Sequence, residues 1–356
     1  MLRRPSCPRR PLPIGGVLLL LLLAGVGAAA ADATTAPQPA ATAAVAGPES
    51  QPDAKSEAKP EAMYASPTRA DRVGRILAAV EINGRGPYRF IVDTGANSSA
   101  LAPRVAEELA LPPIEGGVQV HGVTGTAMLP AVHVDSLRVG GIVLPPGTLP
   151  VLPGDIFAGA DGILGVAGIQ QMRMEVDFAR DRVEITPSSG KRAPSGYLTV
   201  RASLWQGGLL LVDGHVGSVP TKVIIDTGAE RTIGNMRLRE ALASRAEREK
   251  VSEVRVLGAT PSVGEATYFK VPRIRIGPAN LLDLPVTFGE LYVFELWGLT
   301  GEPALVVGMD VLGGLERFVI DYKRGEFQMK SSTSKGFGVR RCTSSTCGSR
   351  IPEQYR

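Results

Sequence analysis

The feature that most constrains this chain is a short element that occurs twice. RFIVDTGANSS, from Arg89 to Ser99, returns 133 positions later as KVIIDTGAERT, from Lys222 to Thr232. In both copies an apolar run of the kind that forms a buried strand ends in Asp-Thr-Gly-Ala. Composition alone places a given tripeptide at roughly one in 5,000 positions, so two copies could still be coincidence. Their surroundings argue otherwise. Upstream, RILAAVEINGRGPYRFIVDTGA and LLLVDGHVGSVPTKVIIDTGA each read as strand, turn and strand. Asn83-Gly84-Arg85-Gly86-Pro87 supplies one turn and Gly217-Ser218-Val219-Pro220 the other.

The correspondence continues downstream. Helical patterns follow at Pro103 to Leu111 and at Asn235 to Glu249, and then come Ile163-Leu164-Gly165 and Val306-Val307-Gly308. Strand-like MEVDFARDRVEI and FVIDYKRGEFQM come next, with 12 residues from Gly165 to Asp177 and 13 from Gly308 to Asp321. Landmarks in one order at near-equal spacing indicate duplication of a β-rich unit of about 120 residues. Residues 71–190 form the first copy and 191–330 the second, with SSGKRAPSG, from Ser188 to Gly196, joining them. Aromatic residues make up only 5% of the chain, so both cores must rest on Val, Leu, Ile and Ala.

A duplicated acidic loop has a specific chemical use. Hydrolysing a peptide without metal or covalent intermediate needs one group to activate water and another to protonate the departing group. Two carboxylates about 3 Å apart do both, because like charges that close cannot both ionise and so share a proton. One domain with one DTG cannot supply the pair. Two copies facing across a pseudo-two-fold axis can, with Asp93 from one and Asp226 from the other. Thr94 and Thr227 have hydroxyls that can bond the opposite loop's backbone, and Gly95 and Gly228 allow a tight turn. The competing reading, an acidic turn at a strand end, would be serious for one copy and is weak for two.

These residues resemble the aspartic protease superfamily, and in particular bacterial proteins with tandem retropepsin-like domains, over about residues 71–330. DTGA with Ala96 and Ala229 resembles the retroviral type, where the pepsin type usually has Ser. Ile163-Leu164-Gly165 and Val306-Val307-Gly308 resemble the family's buttress, which threads behind the active-site loop. The resemblance implies an all-β, bilobal fold with a cleft between lobes, closed by one or two hairpin flaps. Flap candidates are His121 to Pro130, which lacks the tyrosine of pepsin-type flaps, and Leu257 to Phe269, which contains Tyr268; either also suits an ordinary surface hairpin. Lacking the Ser hydroxyls, the dyad should titrate above the pepsin-like range and give a mildly acidic optimum. Glu230 beside Arg231 either alters substrate preference or pairs with that neighbour. The function implied is an aspartic endopeptidase acting as a monomeric pseudo-dimer on an extended polypeptide, with no cofactor and no metal. The alternative is a non-catalytic binding protein that keeps the fold to hold a peptide or envelope component.

The ends read differently. Arg3, Arg4, Arg9 and Arg10 precede the apolar run from Ile14 to Ala31, and Ala29-Ala30-Ala31 or Ala31-Asp32-Ala33 suits cleavage. Residues 1–31 read as a signal peptide for a secreted or periplasmic protein. An uncleaved anchor, leaving the protein membrane-tethered and facing the periplasm, is the alternative. Of 39 Lys and Arg in the chain, four lie in this leader, which holds no acid; 35 bases then face 35 acids. A neutral mature chain carries no electrostatic footprint for nucleic acid. Residues 32–70, rich in Ala, Pro, Thr, Glu and Lys, read as a flexible spacer, with a propeptide as the other possibility. Residues 331–356 read as a polar tail, in which Cys342 and Cys347 suit one local disulfide in an oxidising compartment. His121, His133 and His215 lack metal-ligand spacing.

Overall fold

The computed structural model describes residues 22–23, 63–65 and 74–331, apart from 168, 181 and 244–250. The Cys342–Cys347 pair and nearly all of the leader and spacer lie outside the described residues. Two copies of one β unit are present. In the first, β1 (Leu77–Ile82) and β2 (Arg85–Val92) form a hairpin, followed by β3 (Ala100–Leu101) and α1 (Pro103–Glu108). A long hairpin of β4 (Pro113–Gly122) and β5 (Gly125–Val134) comes next. Short strands β6 (Leu137–Val139), β7 (Ile142–Leu144), β8 (Gly147–Pro150) and β9 (Gly162–Leu164) lead to the paired β10 (Met172–Asp177) and β11 (Arg182–Pro187). The sequence reading placed Arg85, Gly86 and Pro87 in a turn. Instead Asn83 and Gly84 both take positive φ and close the hairpin by themselves, so β2 starts at Arg85 and its first three residues are exposed.

The second copy repeats the plan. After β12 (Leu198–Arg201) and β13 (Ser203–Trp205), the hairpin of β14 (Leu209–Val216) and β15 (Val219–Ile225) leads through β16 (Ile233–Gly234) to α2 (Met236–Ala241). Asn235 caps α2 by accepting from the Leu238 amide at 2.8 Å, while its Nδ2 donates to the Leu299 and Glu302 carbonyls. The described helix ends at Ala241, and the last residues of the expected helical pattern fall outside the described set. A second long hairpin follows, of β17 (Ser252–Leu257) and β18 (Val263–Ile276), and then β19 (Ala279–Phe288) and α3 (Tyr292–Leu296). The unit closes with β20 (Ala304–Val307), α4 (Met309–Leu312), β21 (Leu315–Asp321) and β22 (Glu326–Ser331).

Each DTG strand sits at the centre of its lobe's sheet. In the first lobe the order is β3-β9-β2-β1-β6-β7; in the second it is β13-β14-β15-β20-β16-β19-β18-β17. The hydrophobic–hydrophobic–Gly segments run parallel to the DTG strands, with Ile163 opposite Ile91 and Leu164 opposite Val92. The same register recurs as Val306 opposite Ile224 and Val307 opposite Ile225. A strand covered on both faces and both edges needs an unbroken apolar run rather than alternation, and FIV and VII, just before the two Asp residues, are fully buried. The lobes are joined by a third sheet, ordered β12-β22-β21-β10-β11 with Met63–Ala65 on its outer edge. It pairs β10 of the first copy with β21 of the second, so the two copies share one continuous sheet. The fold is all-β and bilobal, with the duplicated loops meeting at the junction.

Candidate active site

The two DTG loops are bound to each other. Thr94 Oγ1 donates to the Ile225 carbonyl at 2.8 Å and accepts from the Thr227 amide at 3.0 Å. Thr227 Oγ1 donates to the Val92 carbonyl at 2.6 Å and accepts from the Thr94 amide at 3.1 Å. These four bonds form a closed, two-fold bracket in which each hydroxyl satisfies one donor and one acceptor of the opposite lobe. All the groups are buried, so losing any of them would leave an uncompensated polar atom.

The bracket brings Asp93 and Asp226 face to face, both fully buried. Their loops hang from the parallel strands behind them, with the Asp93 amide donating to Leu164 O and the Asp226 amide to Val307 O, each at 3.0 Å. One oxygen of each carboxyl is held by backbone: Gly95 N donates to Asp93 Oδ1 at 2.8 Å, and Gly228 N to Asp226 Oδ1 at 2.8 Å. Asp226 Oδ1 also accepts from Ala229 N at 3.1 Å. The Oδ2 atoms of both have no protein donor. Glycine is required beside each acid because the other lobe's carboxyl presses on it. A Cβ on Gly95 would lie 2.5 Å from Asp226 Oδ2, and one on Gly228 would overlap the Asp93 carboxyl.

Burial is the main cause of the unusual acidity of the pair. It pushes Asp226 up to about 6, against the lowering effect of the Gly228 and Ala229 amides. Asp93 lies well above the usual carboxylate range, first through burial and then through the Asp226 charge facing it. Arg75 opposes that rise with its positive charge. This arginine is itself fully buried beside the strand leading to Asp93 and donates to the Ile156 carbonyl at 3.1 Å.

Gly165 and Gly308 end the buttressing strands beneath the loops, and the next residues bond back to them. Val166 N donates to Ala96 O and Ala167 N to Asn97 O; in the second lobe Met309 N donates to Ala229 O and Asp310 N to Glu230 O. One difference between lobes was missed at the sequence level. Ser99 Oγ and Thr232 Oγ1 occupy equivalent places, accepting from the Gly165 and Gly308 amides at 3.2 Å. Only in the second lobe is there an acid behind the hydroxyl. Asp310 accepts from Thr232 Oγ1 at 2.7 Å and from Thr232 N at 3.0 Å, where the first lobe has Ala167. Burial pushes the Asp310 carboxyl up to about 6. An Asp two residues after the buttress glycine in only one copy is the signal that could have found it. Glu230 forms an ion pair with its neighbour Arg231 at 3.6 Å.

Two long hairpins, one from each lobe, meet at their tips. The turn between β4 and β5 is Val123-Thr124, and the turn between β17 and β18 spans 258–262. The tips meet: Thr124 Oγ1 donates to Ser262 O at 2.8 Å and lies 3.4 Å from the Thr260 hydroxyl. Val123 is fully buried in a second-lobe apolar cluster with Val256, Leu291, Val293 and Trp297. Burying that side chain stabilises the closed arrangement by about 1.5–2 kcal/mol. His121 stacks on Tyr292, and its Nδ1 bonds the Tyr292 hydroxyl at 3.0 Å. Tyr268, on β18, is 38% exposed, away from the tip. Among the described residues no group of three or more His, Cys, Asp or Glu side chains is placed to hold a metal ion.

No curated protein matches the chain. The sequence model of a family described as aspartyl protease matches it twice, at residues 78–167 and 212–311, together more than half its length. Each match contains one DTG loop and one buttressing strand. The chain therefore belongs to the aspartyl protease family, as a tandem protein carrying two retropepsin-like copies of the domain.

Proposed function

We propose that the protein is an aspartic endopeptidase in which Asp93 and Asp226 form one catalytic dyad within a single chain. The observation that carries this reading is the Thr94–Thr227 bracket. It holds two buried carboxyls against each other, with their Oδ1 atoms fixed by backbone amides and their Oδ2 atoms without protein donors. In the singly protonated pair, the ionised carboxylate accepts a proton from a water as that water attacks the peptide carbonyl. The protonated partner donates to the carbonyl oxygen, and collapse of the tetrahedral intermediate passes a proton to the departing amine. The hairpins would lift to admit an extended polypeptide and then close to exclude bulk water. The basic and then apolar pattern of residues 1–31, read as a signal peptide, supports a protein that works outside the cytoplasm, in the periplasm or secreted.

The test is cleavage of an unstructured protein by the purified chain, compared with Asp93→Asn and Asp226→Asn across acidic to neutral pH. Loss of cleavage in either single variant is expected, because each lobe supplies half of one site. Activity surviving in one of them would rule out a shared dyad.

A further inference from the structure

The two halves of the dyad are not equivalent. Asp226 Oδ1 accepts from two backbone amides, Gly228 N at 2.8 Å and Ala229 N at 3.1 Å. Asp93 Oδ1 accepts from Gly95 N at 2.8 Å, while the matching Ala96 N turns to the Asp93 main-chain carbonyl at 3.3 Å. Amide donors stabilise a carboxylate more than its protonated form, so the extra donor favours charge on Asp226.

A second asymmetry lies behind the first. Both loops share one backbone frame, in which Val166 and Ala167 donate to Ala96 O and Asn97 O, and Met309 and Asp310 to Ala229 O and Glu230 O. Ser99 and Thr232 each accept from the buttress glycine. Only the second loop is also clamped by a carboxylate: Asp310 takes the Thr232 hydroxyl at 2.7 Å and the Thr232 amide at 3.0 Å. Thr232 lies three residues beyond Ala229, so the clamp holds the stretch that carries the extra donor. The first loop has Ala167 in that place. Among the surrounding charges, Arg231 faces Asp310, and Arg75 faces Asp93, whose charge also reaches the buried Tyr322 hydroxyl. Arg75 favours charge on Asp93, but burial and the Asp226 charge outweigh it and hold Asp93 well above the ordinary carboxylate range; Asp226 is pushed by burial only to about 6.

We propose that Asp310 is a positioning residue: by holding Thr232 it keeps the Ala229 amide on Asp226, so that Asp226 carries the negative charge of the dyad and Asp93 carries the proton. Resting on the peptidase reading, this gives the reaction a direction. Asp226 takes a proton from water as the water oxygen bonds the carbonyl carbon, and Asp93 gives its proton to the carbonyl oxygen. When the C–N bond breaks, Asp226 passes its proton to the amine. Asp93 recovers one from the hydroxyl whose oxygen becomes the carbonyl of the new acid.

The experiment follows the carboxyl carbons of the full chain labelled with 13C-aspartate, with the dyad signals assigned from Asp93→Asn and Asp226→Asn. As pH rises, the first deprotonation of the dyad should move mainly the Asp226 signal and the second mainly that of Asp93. Asp310→Ala should raise the first step by roughly one pH unit and spread it over both carboxyls. The acidic limb of the kcat/KM profile should rise with it. Asp310→Asn, which keeps the shape of the side chain, should move both in the same direction by less. Asn235→Ala removes the α2 cap and lowers stability, yet should leave both in place. Asp93 moving first in the wild type, a first step unchanged in the Asp310 variants, or an equal shift in Asn235→Ala would each overturn the proposal. The carboxyl titration needs no turnover. A chain that cleaves nothing yet keeps this order refutes the peptidase reading and supports the clamp, whereas a chain that cleaves without this order refutes the clamp alone.

Discussion

Replacing Thr227 by valine keeps the shape of the side chain and removes one hydroxyl from the centre of the molecule. That hydroxyl donates to Val92 O at 2.6 Å and accepts from Thr94 N at 3.1 Å. Both partners belong to the opposite lobe, and both are buried where water cannot replace the lost bond. An orphaned buried donor or acceptor costs about 1–3 kcal/mol, so the pair should cost about 2–6 kcal/mol. In a domain of this size 1 kcal/mol moves Tm by about 2–4 °C, and the expected fall is about 4–24 °C. Thr221→Val is the matched control. Its hydroxyl bonds only Val219 O, two residues back on the same strand, and its loss should cost about 1 kcal/mol. Thermal unfolding followed by circular dichroism compares the two, with Thr94→Val expected to match Thr227→Val because the bracket is two-fold. If Thr227→Val melted within about 2 °C of the Thr221→Val control, the bracket would not be what joins the lobes.

Three further outcomes follow from the site. Gly95→Ala should abolish cleavage while the chain still folds at reduced stability, because its methyl would sit 2.5 Å from Asp226 Oδ2; kcat and Tm measured together decide this. Asp310→Ala removes two hydrogen bonds to Thr232 and should lower stability by about 3 kcal/mol, with a fall in kcat larger than any rise in KM. Its mirror Ala167→Ser should change stability by less than about 1 kcal/mol. The third concerns pH. Asp226 titrates at about 6 in the folded chain, against about 3.9 in an unfolded one, so the folded state holds a proton that the unfolded state has already released. Stability should therefore fall as pH rises from about 4 to about 6 and remain lowered above that. Asp226→Asn, which cannot ionise, should melt higher than wild type above pH 6 and lose that advantage below about pH 4. A constant difference across that range would refute the linkage.

What could be read from the chain alone is what neighbouring residues encode. The paired strand–turn–strand units, the acid after each apolar run and the order of the buttressing segments are all local patterns, and duplication made them legible by repeating them. Local reading failed where punctuation was ambiguous. Gly86 and Pro87 look like a turn, yet two residues of positive φ at Asn83 and Gly84 already reverse the chain. Tertiary structure alone decided the rest. Asp310 finds Thr232 across 78 positions, Arg75 finds Ile156 across 81, and Thr124 meets Ser262 across 138. The first two pairs form only when a lobe folds on itself and the third only where the two lobes pack, so no local stretch of chain encodes any of these contacts. The same holds for the acidity of the dyad. Two aspartates are visible in the sequence, but their high affinity for protons comes from complete burial, which no stretch of chain imposes on itself.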